Sequence, residues 1–234
     1  MDIRKRIQDI KGLLAKKANG LDPEIKEKIQ ELCKLCEELH NQASFDFLTG
    51  LYNRRFFEKE LEINVERAIR ERSVFSLILM DLDHFKRVND KYGHLTGDEV
   101  LKGVAALIKR NIRKIDIPAR YGGEEFAIIL PGTSSEGALS AANRLKQELA
   151  SLRFGPEKNP FSITASMGVA TYRPRSNISA HEFLQEVDRL LYQAKESGRN
   201  KIVTDDEKVL WQKELEGLSF EEREALKGVW SYDD

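Results

Sequence analysis

Apolar residues recur at every third or fourth position along the first 43 residues, and this spacing predicts two helices. The apolar positions of the first helix follow intervals of four, three and four residues: Ile3, Ile7, Ile10 and Leu14. The Asn19-Gly20 pair is typical of a helix end. Asp22-Pro23 then supplies an N-cap and a residue suited to the first helical position, so a second helix is predicted to begin there.

The second helix has a narrow apolar seam with the alternating three- and four-residue intervals of a coiled coil: Ile25, Ile29, Leu32, Cys36, Leu39 and Ala43. We expect either a helix that dimerises or a helical hairpin that pairs with a partner chain. The alternative is a helix that packs on its own domain.

Cys33 and Cys36 form one CxxC pair on this helix. A redox or metal site would be the functional interpretation, but structural zinc needs about four ligands and the sequence has no second pair. Cys36 falls on the apolar seam, where a thiol behaves as a small hydrophobic side chain. A structural role is therefore predicted for this pair.

Residues 44–204 are predicted to alternate strands and helices. Residues 74–82 are apolar at nearly every position, which predicts a central, buried strand. The other predicted elements follow in order: a helix over 97–113, a hairpin over 118–130, a helix over 133–152 opened by a Thr133/Glu136 capping box, a strand over 161–172, a helix over 179–197 opened by a Ser179/Glu182 capping box, and an edge strand over 201–203. This order resembles a split βαβ sheet with helices on one face.

Residues 205–234 return to a charged, amphipathic pattern that predicts two short helices. Thr204 with Glu207, and Ser219 with Glu222, would form their capping boxes. No chemistry is apparent in this segment.

The 234 residues carry 38 Lys and Arg against 39 Asp and Glu, a formal net charge of -1, which excludes a global basic field for nucleic acid. Hydrophobic residues make up 41% and charged residues 33%, which excludes disorder throughout the chain. No apolar run approaches the roughly 18–20 residues of a membrane span, and the N-terminus lacks the apolar core of a signal peptide. With only two cysteines, a cytoplasmic location is expected.

The buried strand ends in Asp81-Leu82-Asp83, and strand alternation puts both aspartates on one face. Neighbouring carboxylates repel each other, and a divalent cation such as Mg²⁺ would remove that penalty. The Leu82 carbonyl lies between the aspartates and could add a ligand. Solvated aspartates at strand ends are common as well, so this pattern alone leaves both interpretations open.

A second acidic pair occurs in the run Tyr121-Gly122-Gly123-Glu124-Glu125-Phe126. Two glycines between strand residues allow positive φ angles, which a tight hairpin turn needs, and they allow the backbone to approach a ligand closely. Glutamate is depleted in strands. The two glutamates therefore either form an exposed acidic tip or bring Glu124 to a metal held by Asp81.

These segments together resemble the GGDEF family of diguanylate cyclase catalytic domains, with a GGEEF variant of the signature. The resemblance covers about residues 44–204 and rests on motifs in the family's order and spacing: 46–55 (DFLTGLYNRR), 81–86 (DLDHFK), Asn89-Asp90, Gly93-His94, Gly97-Asp98, 122–126 (GGEEF), 166–169 (SMGV) and 192–200 (YQAKESGRN). Residues 1–43 and 205–234 lie outside it.

The resemblance implies an α+β fold, a ferredoxin-like or cyclase-palm central mixed sheet with helices packed around it, and a catalytic domain over 44–204. The helical patterns outside the resemblance predict that a coiled-coil-like dimerisation or signalling segment over 1–43 precedes this domain and that a C-terminal helical extension over 205–234 follows it. The implied reaction condenses two GTP into cyclic di-GMP and two pyrophosphates. Because one domain would hold one GTP, a homodimer with facing domains is implied.

By the same resemblance, Asp81, the Leu82 carbonyl, Glu124 and Glu125 are the ligands of Mg²⁺, or of Mn²⁺, with two ions per site. Glu124, Glu125 and Lys86 are the implied catalytic side chains. Either glutamate could help to deprotonate the attacking 3′-hydroxyl, and the sequence does not choose between them.

The implied phosphate contacts come from two segments. Phe85 and Lys86 match a turn that holds the triphosphate, and Lys195 and Arg199 match its distal cations. Without the resemblance, Lys195 and Arg199 would be ordinary charges at a helix C-terminus.

Two further sites follow from the resemblance. Asn89 and Asp98 match the guanine contacts, where a carboxylate accepts from N1–H and N2–H and therefore disfavours ATP. Arg113 and Asp116 match the family's RxxD site, at which the cyclic di-GMP product binds and inhibits, and Arg144 matches a position that supplies its second arm. An RxxD alone would be a common ion pair at a helix end.

Three classes of function remain: an active cyclase, a cyclase-like domain that only binds GTP or cyclic di-GMP, and a scaffold whose helices matter most. Degenerate copies lose the turn glycines or the metal carboxylates. Gly122, Gly123, Glu124, Glu125 and Asp81 are all present, which favours the active enzyme. The near-neutral charge disfavours a nucleic-acid polymerase with a related sheet.

Overall fold

The computed structural model describes residues 3–17, 22–174 and 178–205. These ranges contain the following helices: α1 (Ile3–Lys17), α2 (Pro23–Ser44), α3 (Arg54–Glu71), α4 (Phe85–Tyr92), α5 (His94–Asn111), α6 (Ser135–Ser151) and α7 (Ala180–Glu196). They also contain these strands: β1 (Tyr52–Asn53), β2 (Phe75–Leu82), β3 (Ile117–Arg120), β4 (Glu125–Pro131), β5 (Ala165–Tyr172) and β6 (Ile202–Thr204).

The strands form one mixed sheet in the order β1-β3-β4-β2-β5-β6. The central strand β2 pairs antiparallel with β4 on one side and with β5 on the other. The outer pairs, β1 with β3 and β5 with β6, are parallel. The predicted α+β class with a central mixed sheet is confirmed, and β2 is buried along its whole length as its apolar sequence predicted.

Helices cover both faces of the sheet, so the expectation of helices on one face was wrong. Alternate residues of β2 enter two separate cores. Ile78, Met80 and Leu82 pack with α4, α5 and α6, whereas Leu77 and Leu79 pack with α3 and α7. The reason is the two-residue period of a strand: a strand that is apolar at every position must bury both of its faces.

Two helices, α3 and α4, were not predicted. In α3 five buried positions lie among many charged residues, and α4 is an eight-residue helix with two buried residues, Phe85 and Val88. A short helix, or one whose apolar positions lie among many charged residues, shows little helical periodicity in its sequence. The N-cap of α6 is Ser134, whose hydroxyl accepts from Gly137 N–H, and not Thr133, which is buried. The Ser179/Glu182 capping box of α7 is confirmed.

Helices α1 and α2 pack against each other as a hairpin. Its buried side chains include Ile7, Leu14 and Cys33. Cys33, and not the seam residue Cys36, is therefore the buried thiol, because α1 covers the side of α2 that carries Cys33. The seam residues Ile25 and Leu32 of α2 are exposed.

The predicted helices of residues 206–234, with their caps at Glu207, Ser219 and Glu222, lie outside the described residues. Within residues 3–17, 22–174 and 178–205, no helix combines the length and the apolar character that a bilayer crossing requires.

Gly168 allows α7 to lie directly on β5. A Cβ at this position would come within 2.4 Å of Val187 O and 2.5 Å of Leu191 N, which are backbone atoms and cannot rotate away. We predict that Gly168→Ala lowers the free energy of unfolding by about 1–3 kcal/mol, as overpacking does. Urea denaturation measures this. Gly12→Ala is the control, since an added Cβ there meets nothing within 4 Å; equal midpoints for both variants would contradict the prediction.

Candidate active site

The end of β2 brings three acidic side chains together. In the paired strands Asp81 stands opposite Glu125 of β4 and opposite Ser166 of β5. The Leu82 N–H donates to the Glu124 carbonyl at 3.3 Å, which ties the strand end to the acidic turn. In an antiparallel ladder a residue presents its N–H and its C=O to the same neighbour, so the Leu82 carbonyl also faces this turn.

The three carboxylates share an excess of negative charge. Burial raises the pKa of Glu124 and of Glu125, and the nearby Asp81 charge raises both further. Burial also raises the pKa of Asp81, although its ion pair with Lys195 (Nζ to Oδ2, 2.8 Å) acts in the opposite direction. Lys195 is thus an internal counter-ion for the cluster.

A divalent cation fits this donor set. Partly buried carboxylates whose pKa values are raised by burial and by neighbouring negative charge are stabilised by a hard cation with oxygen ligands. Within the part of the chain that the structure describes, no three acidic, histidine or cysteine side chains already converge as a metal cluster. The ion pair between Asp81 and Lys195 is consistent with this, because the ammonium group engages the Asp81 oxygen that a cation would use.

Asp83 does not join this cluster as a free carboxylate. Its Oδ2 accepts from Thr164 Oγ1 at 2.7 Å and from Asn200 N–H at 2.9 Å. Its Oδ1 accepts from Ser166 Oγ at 2.7 Å. The Asp83 charge is close enough to raise the pKa of Asp81. Because the Asp83 oxygens already accept from protein donors, these contacts favour a structural role for Asp83 over the metal-binding role that the Asp81-Leu82-Asp83 pattern left open.

The two glycines of the acidic turn have different surroundings. An added Cβ at Gly122 would lie 2.2 Å from Glu125 Oε2, whereas one at Gly123 would meet nothing within 4 Å. The Glu125 carboxylate is therefore folded over Gly122, and this contact requires a residue without a side chain. Gly123 leaves the outer side of the turn open.

Arg120 binds the backbone of the acidic turn, a contact that the sequence did not predict. Its Nε and Nη2 donate to Gly123 O at 3.2 and 2.8 Å. Its Nη1 forms an ion pair with Asp46 Oδ2 at 3.3 Å. Asp46 follows the end of α2 and also accepts from the Thr49 N–H and hydroxyl. Arg120 thus connects the turn to the segment that follows the N-terminal hairpin.

The backbone near the start of α4 is open to an anion. His84, the N-cap, has a left-handed conformation (φ 58°) and makes no side-chain cap hydrogen bond. The first N–H groups of a helix lack intrahelical partners and favour phosphate. Phe85 is buried at this terminus and Lys86 is exposed. Arg199 is close enough to Asp81 for its charge to lower the pKa of that carboxyl, against the larger effect of burial.

The predicted guanine contacts lie on two helices that pack together, Asn89 on α4 and Asp98 on α5. Gly97 makes this approach possible, since an added Cβ there would lie 2.0 Å from Asn89 Oδ1 and 3.2 Å from the Phe85 ring. The Asn89 amide is therefore packed against the residue that precedes Asp98. Both side chains are half-buried and retain access to solvent.

The RxxD residues form a compact turn after α5. Arg113 N–H donates to Asp116 Oδ2 at 2.7 Å, and Asp116 N–H donates to Arg113 O. Asp116 is buried, and burial raises its pKa although Arg113 opposes this. Its Oδ1 has no hydrogen-bond partner among the described residues. Arg144 of α6 donates to the side chain and the carbonyl of Asn111, the last residue of α5.

Comparison with known proteins identifies one family. The model of the diguanylate cyclase GGDEF domain matches residues 43–201. The diguanylate cyclase DgcP of Pseudomonas aeruginosa is 35% identical over 198 residues, 83% of this chain and 29% of that protein. The response regulator PleD of Caulobacter vibrioides is 39% identical over 163 residues, 69% of this chain and 36% of that protein. The chain thus spans less than half the length of these curated relatives.

Solved structures agree with this likeness. The coiled coil and GGDEF domain of DgcB from Caulobacter crescentus, in complex with c-di-GMP, has a TM-score of 0.73 at 31% identity and covers 77% of this chain and 95% of that one. The diguanylate cyclase SiaD from Pseudomonas aeruginosa, in complex with its activator SiaC, has a TM-score of 0.67 at 32% identity and covers 86% of this chain and 75% of that one.

The crowded carboxylates predict a stability that depends on pH. Because the pKa of Glu124 is raised in the folded protein, the folded state binds this proton more tightly than the unfolded chain does. Stability therefore falls as the pH rises from the ordinary glutamate pKa through the raised one. We predict that Glu124→Gln raises the melting temperature of the chelator-treated protein at pH 7, and that the gain disappears below pH about 4, where both states are protonated.

The control is Glu62→Gln, on the exposed side of α3. This variant should leave the difference in melting temperature between pH 7 and pH 4 the same as in the unmodified protein. Added Mg²⁺ should raise the melting temperature of the unmodified protein more than that of Glu124→Gln, because the variant lacks one of the three carboxylates of the cluster. A Glu124→Gln protein that is less stable at pH 7 would contradict the electrostatic account.

Proposed function

Because the chain belongs to the diguanylate cyclase GGDEF domain family, we propose that it condenses two GTP molecules into cyclic di-GMP and releases two pyrophosphates. The observation that carries this proposal is the position of Asp81, Glu124 and Glu125 beside one another at the end of β2, with Lys195 as their counter-ion. Each 3′-hydroxyl attacks the α-phosphate of the other nucleotide. Three anionic groups that lack full neutralisation suit a site whose substrate carries metal-bound phosphates.

We propose that residues 44–204 form the catalytic domain and residues 1–43 a dimerisation or signalling segment. The C-terminal extension, 205–234, has no assigned role. A product made from two identical substrates needs two facing domains, which is an isologous arrangement. The exposed apolar residues of the hairpin support a second chain as the partner: Ile10, Leu13, Ile25, Leu32 and Leu35. Large exposed apolar side chains on paired helices favour association.

The proposed metal ligands are Asp81, the Leu82 carbonyl, Glu124 and Glu125, for two Mg²⁺ ions, with Mn²⁺ as an alternative. When bound, the ions would neutralise phosphate charge and favour the 3′-alkoxide. Glu124 or Glu125 accepts the proton of the attacking hydroxyl, since burial and the Asp81 charge raise the pKa of both toward the range of a general base. Lys86 would add positive charge at the phosphates from the first turn of α4.

The proposed substrate contacts extend in two directions from the metal ligands. Toward the phosphates, the N–H groups at Phe85 and Lys86, together with Lys195 and Arg199, supply hydrogen bonds and charge. Lys195 would exchange its partner, Asp81, for a phosphate oxygen when the nucleotide binds.

Toward the base, we propose that Asn89 and Asp98 bind guanine. Asp98 would accept from the N1–H and N2–H groups that adenine lacks, and therefore select GTP. The packing of the Asn89 amide against Gly97 supports this pairing, because it keeps the two side chains next to each other.

Product formation tests the proposed function directly. Purified protein, stripped of bound nucleotide, is incubated with GTP and Mg²⁺ over a range of protein concentrations, and cyclic di-GMP and pyrophosphate are quantified by chromatography. We predict a rate that rises faster than linearly with protein concentration, since the active species is a dimer. Glu124→Gln and Asp81→Asn should each lower the rate at least about 100-fold, because each removes an anionic metal ligand.

Glu62→Gln is again the matched control and should retain the full rate. A protein that binds GTP but forms no cyclic di-GMP at any concentration, even with Arg113→Ala, would instead be a nucleotide-binding module. A linear dependence on protein concentration would contradict a dimerisation-limited reaction.

We propose that the product inhibits the enzyme at Arg113, Asp116 and Arg144. The unpartnered, buried Asp116 Oδ1 supports this, because a buried acceptor without a donor suits the N1–H and N2–H groups of guanine. The exposed Arg113 side chain would stack on the guanine plane and bond its edge. Binding there would hold two domains so that their GTP sites do not face each other.

We predict that Arg113→Ala raises the cyclic di-GMP concentration for half-inhibition by about tenfold or more, since a charge-assisted hydrogen bond is lost. The measurement is the initial rate at fixed GTP with added product. Lys114→Ala, a neighbouring exposed cation, is the matched control and should remain inhibited like the unmodified protein. Unchanged product sensitivity in Arg113→Ala would refute the proposed inhibitory site.

A further inference from the structure

Asp83 is a buried carboxylate to which neither the metal site nor the nucleotide contacts assign a role. Its side chain accepts three hydrogen bonds, from Thr164 Oγ1, Ser166 Oγ and the Asn200 N–H. Its own N–H donates to Thr164 O at 2.8 Å. The end of β2 is thereby joined to the start of β5 and to the segment after α7. A buried charge with this many donors is held firmly in place.

The segment after α7 has an unusual backbone. Gly198, Arg199 and Asn200 have φ angles of 109°, 62° and 48°, three left-handed residues in succession. This conformation is strained for most residues other than glycine, although asparagine adopts it more readily. Arg199 is therefore expected to keep it only where neighbouring groups hold the segment.

The contacts that hold this segment lie on both sides of Arg199. On the helix side, the Arg199 N–H donates to Ala194 O at 3.1 Å. On the other side, the Asn200 N–H donates to Asp83 Oδ2 at 2.9 Å, and Met167 N–H donates to Lys201 O. Among these acceptors, the Asp83 carboxylate is the charged one, and it anchors the strained turn to the strand that carries Asp81.

We infer that Asp83 is a positioning residue: its carboxylate fixes the left-handed turn over 198–200 and so orients Arg199 toward the triphosphate of the substrate. The inference rests on the proposed function for the role of Arg199. It differs from the metal-binding role that the Asp81-Leu82-Asp83 pattern suggests, because the Asp83 oxygens already accept from protein donors. Asp83 acts through the backbone of Asn200 and not on the reacting atoms.

The two roles make opposite demands on the side chain. A metal ligand needs the charge of Asp83. The positioning role, in which the Asp83 side chain acts as a clamp on Thr164, Ser166 and Asn200, needs an acceptor that faces the Asn200 N–H and the Thr164 hydroxyl. An amide oxygen provides one. The Ser166 hydroxyl can rotate to accept from the amide nitrogen, since a hydroxyl both donates and accepts. Asp83→Asn therefore preserves the clamp, and Asp83→Ala removes it.

Binding of 3′-deoxy-GTP, which lacks the attacking hydroxyl and cannot react, measures the clamp without turnover. In calorimetry with Mg²⁺, we expect Asp83→Ala to lower the affinity for this ligand by about 10- to 100-fold. Asp83→Asn should lower it by about threefold at most. GMP lacks the β- and γ-phosphates, and its affinity, measured by competition, should stay within about twofold in both variants. An Asp83→Asn protein as impaired as Asp83→Ala would overturn the inference.

Asp205→Ala is the matched control. Asp205 also accepts a backbone N–H, that of Thr171, but at the opposite end of β5. This variant should alter stability and leave the affinity for 3′-deoxy-GTP unchanged. An equal loss of affinity in Asp205→Ala would mean that a general weakening of the sheet, and not the clamp, explains the effect of Asp83→Ala.

Amide hydrogen exchange tests the clamp independently of nucleotide chemistry. The Asn200 N–H should exchange at least about tenfold faster in Asp83→Ala than in the unmodified protein, because its acceptor is gone, and should stay protected in Asp83→Asn. Unchanged exchange in Asp83→Ala would refute the clamp. If the unmodified protein binds no 3′-deoxy-GTP while the exchange result holds, the proposed function fails and the clamp stands as a structural feature.

Discussion

The pairing of β2 between β4 and β5 is the constraint on which the candidate site depends. Both ladders are antiparallel, and their register sets Asp81 opposite Glu125 on one side and Ser166 on the other. A slip of one residue would turn every β2 side chain to the other face. It would move Ile78, Met80 and Leu82 out of their core. The two apolar cores therefore hold the acidic residues together, although the acids repel one another.

The repulsion among these acidic residues affects both the stability of the folded protein and its affinity for a ligand. Burial raises the pKa of Asp81, Glu124 and Glu125, and the Asp81 charge raises the pKa of both glutamates further, so the folded protein bears a penalty at neutral pH that Lys195 only partly relieves. Sites of this kind are stabilised by the ligand that they are built to bind. A cation with a polyphosphate would relieve the penalty and release Lys195 at the same time.

Two charged side chains, Arg120 and Asp83, connect the candidate site to the segments around it. Arg120 joins the acidic turn to Asp46, directly after the N-terminal hairpin. Asp83 joins the end of β2 to the left-handed turn that carries Arg199. Both contacts link segments that are far apart in the chain, and in each case a charged side chain bonds a backbone group. The geometry of the proposed phosphate-binding and metal-binding residues therefore depends on residues that need not touch a ligand.

Much of this protein was determined by sequence patterns that act locally. The continuous apolar run of β2 and the Ser179/Glu182 capping box each predicted their element, because strand burial and helix caps depend on neighbouring residues. The glycine pair predicted the hairpin of β3 and β4, but the expected positive φ angles were wrong, since neither Gly122 nor Gly123 has one. Only the tertiary structure decided that helices cover both faces, that Cys33 and not Cys36 is buried, and that Asp83 bonds Asn200. These outcomes depend on which distant segment packs against a residue, and the spacing of residues along the chain does not contain that information.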